Sequence, residues 1–276
     1  MNIKQVEKIL IDSGIEPNEA KTEAKMLVKH FLKISDIDLI LKEEFEENED
    51  LIKGANLRAE TRIPVQHIIG TAYFMGEDFI VNENVLIPRD ETEFLVKKTV
   101  EVIKENNFTK ALDIGTGSGC IACMISKLSS AQVVGVDIST DALRVALENA
   151  TKLNLNNRAI FRKSDIFSNV RIDEKFDLIV SNPPYIPLSE KSQLQKEVEY
   201  DPELALFAPD EEGVVFYENI TKEAPKVLNK GGYLLFELGI GQAPIVQKIM
   251  DLYGFVDIVI QKDLAGIERV ISGKLV

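Results

Sequence analysis

Four consecutive residues, Asn182-Pro183-Pro184-Tyr185, carry the most specific chemistry in the chain. Adjacent prolines fix φ at both positions and remove two N–H donors. What remains is a pair of rigid acceptors, the Asn182 side-chain oxygen and the Pro183 carbonyl. Such a pair can take both hydrogens of an NH2 group. The lone pair of an amide or aromatic amine is delocalised, so its nitrogen is a poor nucleophile. Two fixed acceptors orient that nitrogen and favour localising its lone pair toward an incoming methyl group. Positioning and preorganised dipoles then contribute to an in-line displacement at a sulfonium. No general base is demanded, because an alkylated nitrogen becomes acidic and sheds its proton late. Tyr185 is expected to lie against the planar group and exclude water. Asn182, Pro183 and Tyr185 are the catalytic candidates, and Pro184 completes the expected substrate-binding set. A rigid strand exit is the plainer explanation of a Pro-rich turn, so the tetrapeptide has to be weighed with its surroundings.

The surroundings contain a second motif, Asp113-Ile114-Gly115-Thr116-Gly117-Ser118-Gly119. It follows an apolar run and precedes a helical pattern, the context a nucleotide-binding loop requires. Glycines let backbone approach a ligand without Cβ clashes. The spacing is G-x-G-x-G, whereas the dinucleotide fingerprint is G-x-G-x-x-G. Asp113 places an acid where a pyrophosphate would be repelled, which suits a ligand with a cationic end such as the amino group of S-adenosylmethionine. The loop candidates are Gly115, Thr116, Gly117, Ser118 and Gly119. Asp137, about twenty residues on and at a strand end, can accept from both ribose hydroxyls. Asp165 can accept from an adenine amino group, with the Ile166 N–H facing a ring nitrogen. A solvated strand-end acid and a turn cap are the alternatives for Asp137 and Asp165.

These loops need elements to position them. Residues 1 to about 70 read as short helices. Ile3, Val6, Ile9 and Leu10 recur at helical spacing up to Ser13-Gly14, and Ala20, Ala24, Leu27, Val28 and Phe31 share one face after Pro17-Asn18. Further helices are expected over 36–42 and 46–59. From about residue 61 β-type residues appear, including Arg62-Ile63-Pro64 and Ile68-Ile69-Gly70, and a hairpin linker is expected over 71–88. Helix is expected to resume over 91–104. Strands and helices then alternate. Strands are expected at 111–114, 132–137, 159–161, 176–180, 232–238, 256–261 and 269–271, and helices at 119–128, 142–153, 214–228 and 245–253. Alternation of this kind implies a doubly wound, mostly parallel sheet with ligands at the carboxyl ends of its strands. The expected organisation is a helical substrate-recognition domain (1–70), the linker (71–88) and an α/β catalytic domain (89–276).

Composition narrows the partners. The chain has 276 residues, 45% of them hydrophobic, and a net charge of −13. A balance that acidic is a poor match for gripping nucleic acid, which rewards a basic face. No run approaches a membrane span, and the amphipathic N-terminus lacks a signal-peptide core. The two cysteines, Cys120 and Cys123, sit close together in one helical stretch and cannot close a zinc site alone. A cytoplasmic, reduced, metal-free protein is expected.

At these residues the chain resembles class I S-adenosylmethionine-dependent methyltransferases with an N-P-P-Y motif. It is similar in particular to the peptide chain release factor N5-glutamine methyltransferases. The likeness is carried by Arg62-Ile63-Pro64-Val65-Gln66-His67-Ile68-Ile69-Gly70, by Leu86-Ile87-Pro88-Arg89-Asp90-Glu91-Thr92-Glu93, by Val198-Glu199-Tyr200-Asp201-Pro202-Glu203-Leu204-Ala205-Leu206 and by Lys262-Asp263-Leu264-Ala265-Gly266-Ile267-Glu268-Arg269-Val270. The resemblance implies a Rossmann-like domain with a mostly parallel seven-stranded sheet, plus a small N-terminal helical domain and a β-hairpin linker. It implies methyl transfer to the glutamine of the release-factor GGQ loop, with S-adenosylhomocysteine as the by-product. It makes Asn182 a cofactor contact as well as a substrate contact. Two positions depart from the family pattern: Asp90 stands where proline is usual, and Ile166 where some members carry an aromatic. Three readings compete with this one. They are a methyltransferase acting on a ribosomal-protein glutamine, an N6-adenine nucleic-acid methyltransferase that flips its base, and a non-catalytic nucleotide-binding module.

Overall fold

The computed structural model describes residues 2–41 and 44–276, and these form two compact units. The first comprises residues 1–71 together with 195–200. Its helices are α1 (Ile3–Asp12), α2 (Pro17–Leu32), α3 (Asp36–Leu41), α4 (Glu49–Thr61) and α5 (Val65–Ile69). Local chemistry sets their starts. The Asn2 side chain caps α1 in a capping box with Gln5, and Pro17 opens α2 while the Glu16 carboxylate accepts from the N–H groups of Asn18 and Glu19. Position 42, expected to be helical, lies outside the described residues. Val6, Leu10, Ala24, Leu27, Val28, Leu51 and Ala55 form the core of the unit.

Arg58 of α4 is fully buried and ties the 195–200 segment to this unit. Its Nε lies 2.9 Å from a Glu23 carboxylate oxygen, Nη2 3.0 Å from Glu19 and Nη1 3.0 Å from Glu197. Tyr200 adds a bond from its hydroxyl to the Thr61 carbonyl at 2.6 Å. Burial raises the Glu23 carboxyl, opposed by the guanidinium beside it.

The β-type residues of 62–70 do not extend; Val65–Ile69 forms the helical turn α5, inside the stretch to about residue 70 that reads as helical. Pro64 stands at its N-cap and Gly70 closes it at φ 72°, so start and stop signals outweigh the strand preference of two isoleucines.

The second unit starts at Ala72, within β1 (Thr71–Phe74), which pairs with β2 (Glu77–Ile80) across Met75-Gly76, both at positive φ as a two-residue hairpin turn requires. Then follow α6 (Asp90–Asn106), β3 (Lys110–Ile114), α7 (Cys120–Leu128), β4 (Gln132–Asp137), α8 (Thr140–Lys152), β5 (Ala159–Lys163) and β6 (Phe176–Ser181). The short β7 (Ile186–Pro187), α9 (Glu203–Leu206) and β8 (Phe207–Ala208) precede α10 (Val215–Glu223), β9 (Leu228–Glu237), α11 (Ala243–Leu252), β10 (Phe255–Lys262) and β11 (Glu268–Leu275). The helix expected over 214–228 stops at Glu223, because Pro225 turns the chain through a 3-10 segment into β9.

Seven strands form one sheet in the order β10-β11-β9-β6-β3-β4-β5. β5, β4, β3, β6 and β9 run parallel, and β11 and β10 close the edge antiparallel. This is the mostly parallel α/β sheet expected. Its central strands are covered on both faces by two apolar clusters, which explains their unbroken apolar runs. The order reverses between β3 and β6, so the loops after β3, β4, β5 and β6 leave one edge of the sheet beside a crevice.

Asp90 is the first residue of α6. Proline suits that position because its missing N–H would be unbonded anyway, and an acid suits it because the helix N-terminus is partially positive. The departure from the family pattern is therefore accommodated without disturbing the helix.

Candidate active site

The glycine loop is held by the strand beside it. The N–H groups of Gly115 and Thr116 both donate to the Val136 carbonyl, at 2.9 and 3.0 Å. Gly115, Gly117 and Gly119 have φ of 72°, 52° and 77°, values at which a Cβ would be strained. Gly117 N–H donates to Asp137 Oδ2 and Ser139 N–H to Oδ1, each at 2.9 Å. Burial raises the Asp137 carboxyl and these N–H groups oppose the shift. Each of its oxygens keeps lone-pair capacity for a further donor.

Asp113 lies beneath the loop. Its carboxyl is fully buried, Oδ2 accepts from the Thr116 hydroxyl at 2.6 Å, and Oδ1 has no partner. Burial pushes its pKa up to about 7, against the Thr116 bond.

A cavity of about 370 Å³ opens at the sheet edge. It is lined by Gly115, Gly117, Asp137, Asp165, Ile166, Asn182, Pro183 and Pro184, so eight sequence candidates from four loops meet in one place. Asp113, Thr116, Ser118, Gly119 and Tyr185 are not among the lining residues; the first four build the loop from behind. Ile166 has φ of 48°, strained for a β-branched residue. The turn around it is pinned: Ser164 Oγ donates to the Ile166 carbonyl at 2.9 Å, and Asp165 N–H to Ser168 Oγ at 2.9 Å.

The tetrapeptide leaves β6 directly. Ser181 Oγ bonds the Ile114 carbonyl at 2.7 Å, anchoring the exit to β3. Asn182 Nδ2 lies 3.3 Å from Thr92 Oγ1 of α6. Tyr185 follows, half-buried. Its carbonyl accepts from Gln242 Nε2 at 3.0 Å, and its ring is largely withdrawn from solvent beside Gly239. Burial, reinforced by the nearby Glu237 carboxyl, pushes its phenol up to about 12.

Several residues at the site carried no motif. Residues 83–86, read as linker, line the cavity. Asn149 of α8 fastens the end of β2, just before them, to the glycine loop: its side chain exchanges bonds with Ile80 N–H and carbonyl at 2.6 and 3.0 Å and donates to the Ser118 carbonyl at 2.9 Å. Asp201, buried, accepts from Ile87 N–H and from Arg89, joining two of the family-like blocks beside the wall supplied by Pro202 and Leu204. Glu237 ends β9 almost fully buried, and burial pushes it up to about 7. Glu237 was detectable as a single polar residue in an otherwise apolar run, whereas Asn149, beside Glu148 in α8, carried no such signal. Among the described residues no cluster of potential metal ligands occurs, and no helix is long and apolar enough to cross a membrane.

The cavity fits a nucleoside-sized ligand: its volume is in the usual range for small-molecule sites, and glycine backbone, an acid on β4 and apolar Ile166 offer the contacts one needs. Known proteins point the same way. Residues 3–70 match the PrmC N-terminal domain and residues 90–198 the Methyltransferase small domain. The chain is 39% identical to the release factor glutamine methyltransferase of Geobacter sulfurreducens over 96% of this chain and 93% of that one. It is also 39% identical to that of Clostridium acetobutylicum, over 90% and 89%. Among solved structures, a Thermus thermophilus 16S rRNA N2 G1207 methyltransferase in complex with AdoMet and guanosine aligns with a TM-score of 0.52 at 16% identity, covering 75% of this chain and 50% of that one, a likeness of fold. With identity sustained over nearly the whole length, the chain belongs to the release factor glutamine methyltransferase family.

Proposed function

We propose that this enzyme transfers the methyl group of S-adenosylmethionine to the side-chain amide nitrogen of the glutamine in the GGQ motif of peptide chain release factors, modulating translation termination. One observation carries the reading: Asn182, Pro183 and Pro184 form a wall of the same cavity as Asp137 and the glycine loop. The two residues that carry the amide acceptors thus line one cavity with the loops that would hold a nucleoside. When bound, S-adenosylmethionine supplies an electrophilic methyl group and leaves as S-adenosylhomocysteine.

The chain's own residues then have distinct tasks. Asp137 accepts the ribose hydroxyls, Gly115 and Gly117 let backbone approach the ligand, and Asp165 with the Ile166 N–H meets the adenine edge. Asp113 supports the loop through Thr116 and places negative potential behind it. Asn182 Oδ1 and the Pro183 carbonyl accept the two glutamine N–H bonds and orient the nitrogen for in-line attack. The amide proton is lost after the N–C bond forms. Tyr185, with its carbonyl clamped by Gln242, helps set the shape of the loop exit, and its ring can lie against the planar amide. The net charge of −13 supports a protein substrate over a nucleic acid, and release factors would meet the enzyme in the cytoplasm.

The test is incubation of the purified chain with S-adenosylmethionine and a release factor, followed by mass spectrometry of the GGQ peptide. One added methyl on the glutamine supports the reading. An unmodified peptide, with label appearing on a ribosomal protein or on DNA, overturns it.

A further inference from the structure

We propose that Glu237 is a positioning residue that, with Thr92, locks the Asn182 side chain with Nδ2 turned into the protein and Oδ1 turned to the cavity. The inference deepens the reading above and rests on it for its consequence in catalysis. Asn182 is useful only in one of its two amide orientations, because the flipped side chain would point donors at the N–H bonds it must accept. An amide's flip is set by its hydrogen-bond partners.

Thr92 Oγ1, 3.3 Å from Asn182 Nδ2, cannot make that choice alone. A hydroxyl both donates and accepts, so it would serve either face of the amide. Glu237 breaks the tie. It ends β9, whose Phe236 is in register with Ser181 of β6, one residue before Asn182. Glu237 and Asn182 each lie one residue beyond that Ser181–Phe236 pair, on the same face of the sheet, and hydrogen bonding from the Thr92 and Asn182 side chains opposes the rise that burial gives the Glu237 carboxyl pKa. An ionised carboxylate only accepts, so an Asn182 oxygen facing it would be repelled and the NH2 is selected.

The surroundings hold the carboxyl in place. The Glu237 backbone pairs with Val270 of β11, and its carbonyl accepts from the buried Tyr217 hydroxyl at 2.9 Å. One carboxyl oxygen, Oε2, has no partner although the residue is only 2% exposed. A buried acid with an unsatisfied oxygen costs folding free energy. A residue kept only for stability would be apolar here. The unfavourable burial is explained if the carboxylate is needed for what it orients.

The experiment compares Glu237→Met, which keeps volume and removes the acceptor, with Glu237→Gln, whose side-chain oxygen still accepts. Both are measured at pH 8, where the carboxyl is ionised. The first readout is independent of turnover: hydrogen exchange of the Asn182 side-chain NH2, assigned by 15N NMR through its loss in Asn182→Ala. Glu237→Met should accelerate that exchange about tenfold or more while its melting temperature is unchanged or higher. With a release factor as substrate, its kcat should fall at least about tenfold while its Kd for S-adenosylmethionine stays within about threefold of wild type. Glu237→Gln should recover most of kcat. Wild-type exchange and kcat in Glu237→Met, or equal damage in Glu237→Gln, would overturn the proposal. If the wild-type chain itself fails to methylate the release factor, the substrate reading falls, and the exchange data alone decide the relation between Glu237 and Asn182.

Discussion

The Gly117 N–H donates to Asp137 Oδ2 across 2.9 Å, so the glycine loop and the acid at the end of the next strand are one structural object. Asp137 therefore has two tasks: holding the loop in its left-handed conformation and offering its remaining lone pairs to the ligand. Asp137→Asn replaces one acceptor with a donor and sets that NH2 against a backbone N–H. Bonds to a charged acceptor contribute about 1.5–3 kcal/mol each. The Kd for S-adenosylmethionine should rise on the order of 10- to 100-fold, read by calorimetry. An affinity within about twofold of wild type would mean that Asp137 does not contact the ligand.

Gly213 makes a second prediction about the tetrapeptide. A Cβ there would stand 2.1 Å from the Tyr185 carbonyl oxygen, and the residue has φ of 69°. The obstacle is backbone, so it cannot move aside as a side-chain tip could. Gly213→Ala must displace the Tyr185 peptide, which Gln242 Nε2 also binds. A displacement near 1 Å at catalytic groups costs about 100-fold in rate, so kcat should fall by that order. Retention of wild-type kcat would show that the loop exit does not position Asn182 and Pro183.

What the sequence disclosed and what it concealed differ in range. Asp137 and the glycine loop were readable because a strand-end acid and a G-x-G-x-G turn are local patterns, and the structure puts Gly115, Gly117 and Asp137 on one cavity. Glu237 has the same signature, an acid closing the apolar run Leu234-Leu235-Phe236, yet nothing near it in sequence names Asn182 as its neighbour. The neighbours of Tyr185 are Gln242 and Gly239, more than fifty residues away, and no local pattern names them. In the short helix α5 two isoleucines favour a strand locally, while Pro64 and Gly70 decide the outcome. Local patterns thus located the loops, and long-range pairing decided which side chains face the cavity.

Asp113 gives a prediction about pH. Burial holds its pKa at about 7, above the ordinary carboxylate value. A carboxyl raised on folding contributes stability that is fully present below its unfolded pKa, near 4, and is lost as pH rises to about 7. Asp113→Asn keeps an acceptor for the Thr116 hydroxyl and removes the ionisation. The stability of the variant relative to wild type should increase between pH 4.5 and 8, by roughly 3 kcal/mol at most, and be flat above that. Denaturant melts of both proteins at the two pH values measure it. A difference that does not change with pH would mean that Asp113 is not buried as the structure places it.

Arg58 supports the last prediction. Its guanidinium is fully buried and engages Glu23, Glu19 and Glu197 at about 3 Å, and Glu197 belongs to the 195–200 segment that begins ten residues after Tyr185. Removing one member of a buried ion pair leaves the other uncompensated, at a cost of about 3–5 kcal/mol. In Arg58→Ala the buried carboxylate of Glu23 is stranded, and Glu197 keeps only Arg62 as an ion-pair partner among the described residues. The first unit should lose stability by that amount in urea melts, and trypsin should cut faster at Lys196, inside the freed segment, and at Lys191, four residues before it. Arg58→Met combined with Glu23→Leu removes the stranded charge, so the double variant should be more stable than Arg58→Ala. Unchanged melting and unchanged cleavage in Arg58→Ala would refute the view that this arginine fastens the segment after the tetrapeptide to the helical unit.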